Sequence, residues 1–128
     1  MTYLLDTHTL LWFISEDQKL SDKARRLILD SSSEIFLSIA SLWEIAIKVN
    51  IGKLALDESF EQLFPKELHF HKIGILDITI DSLIQLTMLP LHHRDPFDRL
   101  IIAQALDGKI PVIGVDTRFD RYGISREW

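Results

Sequence analysis

The chain has 128 residues, 47% of them hydrophobic and 26% charged, which is enough for one core, too few for two, and excludes global disorder. It has no cysteine, so disulfides and thiolate metal sites are excluded. The formal net charge of −5 argues against a module that binds nucleic acid by neutralising phosphates alone. It argues less against a nuclease, whose clustered carboxylates face the phosphate through bound cations. Met1–Asp6 has no basic stretch or cleavage site of a secretory leader, and no apolar run is long enough to cross a bilayer. With no linker and no repeat, one domain over residues 1–128, in the cytoplasm, is the expectation.

Tyr3-Leu4-Leu5 reads as a strand closed by Asp6-Thr7, followed by a helix carrying Leu10, Leu11, Phe13 and Ile14. Ser21 caps a second helix with Ala24, Leu27 and Ile28 inward. Ile35–Ser38 is a second strand. Ser41 opens a helix with Leu42, Ile45, Ala46 and Val49 on one face, and Gly52 stops it. A helix over 57–68, a strand over 72–76 and a helix over 81–89 follow, the last closed by Pro90. Asp95-Pro96-Phe97-Asp98 combines an N-cap, a proline in the first turn and an acid three residues after the cap. The helix it opens is apolar over much of its girth, with Gly108 as its C-cap. Residues 111–115 make a fourth strand ending at Asp116, and 122–128 supply a short fifth. Strands that alternate with helices and are apolar throughout indicate an α/β protein whose parallel sheet is covered on both faces.

Ligands bind at the carboxyl ends of such strands. Asp6 and Asp116 each follow a strand directly, and Glu44 lies at the start of a helix that follows one. Asp98 joins them if the turn before its helix opens at the same edge. Each acid also has a local reading. Asp6 suits an N-cap. Glu44 completes a Ser41–Glu44 capping box and sits one turn from Lys48. Asp98 serves a helix start, and Asp116 suits a turn. Jointly, four carboxylates at one edge repel each other unless cations neutralise them, and Mg²⁺ or Mn²⁺ is the match for that donor set. His92 and His93 precede Asp95 without a zinc spacing, so magnesium is favoured over zinc. Arg94, Arg99, Arg118 and Arg121 flank the acids. They either meet RNA phosphates or offset nearby carboxylates.

Four stretches resemble the PIN-domain ribonucleases, and within them the VapC-type toxins of bacterial toxin–antitoxin pairs. Leu4-Leu5-Asp6-Thr7-His8 is similar to the family's opening strand and first acid, and Ser41–Lys48 to its second acidic motif. Leu91–Ala105, with His92-His93-Arg94-Asp95-Pro96-Phe97-Asp98-Arg99 at its head, is the most specific stretch, and Val115–Phe119 resembles the last motif. The resemblance implies a three-layer α/β/α sandwich with a central, mostly parallel sheet of four to five strands. It implies a Mg²⁺- or Mn²⁺-dependent endoribonuclease, often a homodimer, blocked by a cognate antitoxin. It carries Asp6, Glu44, Asp98 and Asp116 over as catalytic metal ligands, with Asp95 as an auxiliary ligand or a pure cap. Three other readings compete. A haloacid-dehalogenase-like phosphatase needs a second Asp where His8 stands. A receiver-like domain needs paired acids after the first strand. A non-catalytic protein-binding module of the same fold has no use for four retained acids.

Overall fold

A computed structural model describes residues 1–128. Its centre is a five-stranded sheet in the order β3-β2-β1-β4-β5. The strands are β1 (Thr2–Leu5), β2 (Glu34–Ser38), β3 (Gly74–Leu76), β4 (Val112–Ile113) and β5 (Arg126–Glu127), and every pairing is parallel. In register, Leu4 pairs with Phe36 and Val112, and Leu5 with Leu37 and Ile113. The carboxyl ends of the three central strands therefore finish side by side.

Side chains alternate across a strand, so β1 feeds two separate cores. Tyr3 and Leu5 join Ile35, Leu37 and Ile113 on one face. That face is covered by α1 (Thr7–Ile14), α2 (Asp22–Leu29), α3 (Ile39–Asn50) and α4 (Phe60–Phe70), through Leu10, Phe13, Ala24, Ile28, Ile45 and Phe64. Leu4 and Val112 point the other way, into a smaller core with Ile101, Ile102 and Ala105 of α6 (Pro96–Gly108) and with Phe119 and Tyr122 of a 3-10 turn, Thr117–Tyr122. α5 (Ile80–Thr87) packs on α6. Burial on both faces explains why the strands carry no polar alternation, and the layers form the expected α/β/α sandwich. No helix is long and apolar enough to cross a membrane.

Several element boundaries differ from the sequence reading: β3, β4 and β5 are shorter than the expected 72–76, 111–115 and 122–128, Tyr122 belonging to the 3-10 turn, and four helix ends are moved. Ser38, not Ser41, caps α3, its hydroxyl accepting from the Ala40 N–H. The strand runs into the helix without a loop, so Ser41 and Glu44 are helical residues and the capping box does not exist. The last helical residue of α6 is Gly108, and Lys109 adopts the left-handed conformation at φ 52°. α4 starts after Ser59 rather than at Asp57. α5 starts one residue earlier than expected, because Thr79 and Ser82 form a reciprocal capping box.

Candidate active site

Asp6, Asp98 and Asp116 are each placed by a helix start or a strand end, and Glu44 by the second turn of α3. Asp6 ends β1 and caps α1, one carboxylate oxygen accepting from the Thr7 N–H at 2.8 Å. Its side chain is tucked against the end of β4. A Cβ at Gly114 would stand 3.0 Å from the Asp6 Cβ, so a glycine is what lets the two strand ends close together. Glu44 projects from the second turn of α3 and is 4% exposed. Lys48, one turn on, donates to its Oε2 at 2.7 Å, while Oε1 is buried with no partner. Asp95 caps α6 by accepting from the N–H groups of Phe97 and Asp98. That cap fixes Asp98 in the first turn. Asp116 caps the 3-10 turn, accepting from the Arg118 N–H and from its guanidinium, at 2.7 Å for Nη2.

The charges show which acids share a space. Burial raises the Asp98 carboxyl to about 8, and Asp6, Asp95, Glu44 and Asp116 add to the rise. Burial raises Asp6 to about 6, against the Thr7 hydrogen bond and His8, with Asp116 and Glu44 pushing it further up. The turn before α6 therefore opens at the same edge as Asp6, Glu44 and Asp116, which the sequence left open. Asp116 behaves oppositely. Its hydrogen bonds to Arg118 hold it below the usual carboxylate range.

Such a group of hard oxygens, short of positive charge, suits a divalent cation. Glu44 Oε1, buried without a partner, is one atom that such a cation would satisfy. As the side chains lie, no three His, Asp or Glu groups stand close enough to hold one ion together. The reason is visible in their present partners: Thr7 on Asp6, Lys48 on Glu44, Arg118 on Asp116. Ligation requires Glu44 and Asp116 to turn from those cations toward the centre.

The basic residues divide. Arg94 is exposed at the rim. Arg118 is engaged by Asp116, with its side chain 57% exposed. Arg99 turns its guanidinium to the Leu89, Pro90 and His93 carbonyls and to the Tyr122 hydroxyl. The two histidines do not form a metal pair. His92 rests edge-on against Tyr122, and His93 is buried with Nδ1 at 2.7 Å from that hydroxyl. Sequence reasoning passed over Tyr122 and Gln104. Gln104 accepts from the Ser38 hydroxyl and donates to the Leu76 and Asp77 carbonyls, tying α6 to the ends of β2 and β3. A glutamine in the middle of an otherwise apolar helix was the signal.

The PIN domain family model matches residues 3–125. The chain belongs to the PIN domain family. This PIN domain has the fold of several solved structures. One is VapBC2 from Rickettsia felis bound to a DNA fragment from its promoter, with TM-score 0.74 and 18% identity over 99% of this chain and 98% of that one. Another is DNA-bound VapBC from Salmonella typhimurium, with TM-score 0.71 and 21% identity over 99% and 97%. A third is FitAcB from Neisseria gonorrhoeae, with TM-score 0.67 and 18% identity over 97% and 95%. No curated protein matches the sequence. PIN domains are generally nucleases, which displaces the phosphatase and receiver readings.

Proposed function

We propose that this PIN domain is a Mg²⁺- or Mn²⁺-dependent endoribonuclease, acting as the toxin of a type II toxin–antitoxin pair. One observation carries the reading. Asp6 and Asp98 are gathered with Glu44 and Asp116 at the carboxyl edge of the sheet, and two of the four are raised to about 6 and about 8 by burial and mutual repulsion. Such a cluster is costly unless cations enter it. Asp6, Glu44, Asp98 and Asp116 would hold the ion. When bound, it lowers the pKa of water and stabilises charge building on the phosphate. The chain's own part is to orient these carboxylates from two helix starts, the second turn of α3 and a 3-10 turn. Asp95 is a cap here, with its oxygen given to the Phe97 and Asp98 amides. Arg94 and the exposed side of Arg118 would meet phosphates flanking the scissile one, an assignment their exposure supports.

The VapBC and FitAcB structures support an antitoxin partner for this chain. An exposed apolar stripe on α3 (Ile39, Trp43, Ile47) and another on α5 (Ile80, Leu83, Ile84) flank α6, and they support a homodimer through that face. The test is incubation of purified protein with a cellular RNA pool, with and without Mg²⁺ or Mn²⁺, beside Asp6→Asn. Cation-dependent cleavage absent from the variant is expected. A folded wild type that binds Mn²⁺ in calorimetry yet cuts no RNA would overturn the nuclease and leave a binding module.

A further inference from the structure

His93 is almost fully buried, with its side chain 6% exposed, and its Nε2 has no hydrogen-bond partner. The proton on its ring can be placed from the neighbouring bonds. The Tyr122 hydroxyl receives the His93 backbone N–H at 3.1 Å and Arg99 Nη1 at 3.3 Å. Neither of those groups can accept a hydrogen bond. The hydroxyl has one proton, and the acceptor left for it is His93 Nδ1, at 2.7 Å. Nδ1 is therefore unprotonated, and the ring carries its proton on Nε2. That N–H is turned toward Asp98, whose Oδ2 stands 3.6 Å away. The separation exceeds a hydrogen bond, and a small turn of the Asp98 carboxyl closes it. A buried N–H left unpaired is costly, so closure is favoured.

We propose that His93 is a positioning residue for Asp98, fixed by Tyr122 in the tautomer that carries its proton on Nε2. One Asp98 oxygen then faces His93, and the other is left for the centre of the site. Several bonds make this rigid. Asp95 holds the Asp98 amide, and Arg99 clamps the Leu89, Pro90 and His93 carbonyls around the same tyrosine. The sequence pair His93 and Asp98 thus works as an orienting donor and its carboxylate, the donor held by a tyrosine 29 positions on. The role rests on the proposed use of Asp98 as a metal ligand. The tautomer does not.

The test uses the full chain labelled with ¹⁵N-histidine. Long-range ¹H–¹⁵N spectra are expected to show His93 with the proton on Nε2, both alone and with Mg²⁺. In Tyr122→Phe the tautomers are expected to mix. Mn²⁺ affinity, read by calorimetry, is expected to fall 10–100-fold in His93→Leu, the loss typical of groups that orient ligands. His93→Gln keeps an N–H donor and should recover most of it, with circular dichroism confirming that both variants fold. A proton on Nδ1, loss of the Nε2 proton on adding Mg²⁺, or equal affinities in the Leu and Gln variants would overturn the inference. Failure is separable from failure of the nuclease reading. A wild type that binds Mn²⁺ without cutting RNA retires the nuclease and leaves His93 in its role, whereas a proton on Nδ1 retires the role and leaves the nuclease.

Discussion

The two sides of the acidic cluster are built on opposite terms. On one side, Asp6 and Asp98 are sunk between the sheet and two helix starts, with no lysine or arginine bonded to them and only the His93 ring beside Asp98. On the other, Asp116 sits at the rim and is gripped by Arg118, and Glu44 is gripped by Lys48. The first side is short of positive charge, and the second supplies its own. A carboxylate that is raised by burial gains most from a cation brought from outside. One already paired gains least, because its partner must first be displaced.

The sharpest way to test this contrast is Asp98→Asn. RNA cleavage should fall by at least about 100-fold, as the proposed role of Asp98 as a cation ligand requires. Its effect on stability should have the opposite sign. The folded Asp98 titrates at about 8 against 3.8 for the ordinary carboxyl, so between those values the native state holds a proton that the unfolded chain has released. Stability of the cation-free wild type should therefore fall as pH rises through that window, and the asparagine variant should lose this slope. Melting curves at pH 5 and pH 8 in chelator check it. A variant that melts lower than wild type at pH 8 would show that the first-turn charge was serving the helix instead.

The next effect belongs to the other side. Lys48→Met leaves the buried Glu44 with neither oxygen paired. A loss of about 2 kcal/mol is expected, discounted from the cost of a fully buried break because Lys48 reaches solvent. Mn²⁺ should restore the melting temperature of this variant more than it raises that of wild type. If Mn²⁺ restores nothing, Glu44 is not shared between the lysine and a cation. Asp95→Ala comes third. It should cost about 1 kcal/mol in chemical denaturation, as a lost cap does, and reduce cleavage less than Asp98→Asn. Equal loss of cleavage would make Asp95 a ligand. Smallest is Arg118→Ala, which removes an exposed pair and should leave the melting temperature unchanged. A clear drop would mean that the rim pair holds the 3-10 turn in place.

Much of this arrangement was readable before any coordinates. The run Asp95-Pro96-Phe97-Asp98 states a cap, a proline and an acid in an order that leaves the backbone little choice. Continuous apolar runs at Tyr3–Leu5 and Ile35–Leu37 identified a sheet covered on both faces. The start of α3 was misread because Ser41 has the right spacing to Glu44. A serine that bonds across the fold to the Thr7 hydroxyl looks, in sequence, like one that caps its own helix. The carbonyl partners of Arg99 were hidden for a related reason. A guanidinium that binds carbonyls inside the fold carries the same letter as one that meets a phosphate. The His93–Tyr122 bond was invisible, since partners far apart in the chain leave no periodic trace. Local rules settled the elements, and long-range polar bonds settled the site.

The order of strands also imposes a timetable. β1 is made first but lies in the middle of the sheet, between β2 and a β4 that begins only at Val112. A nascent chain that has emerged through α5 already contains Asp6 and Glu44 but neither Asp98 nor Asp116. Its central strand then has one open edge, and its acids have nothing to close around. Late pairing of distant segments is the slow part of folding such a sheet. The carboxylate edge therefore comes together only once β4 and Asp116 are made, after β1, β2 and β3 and the helices between them.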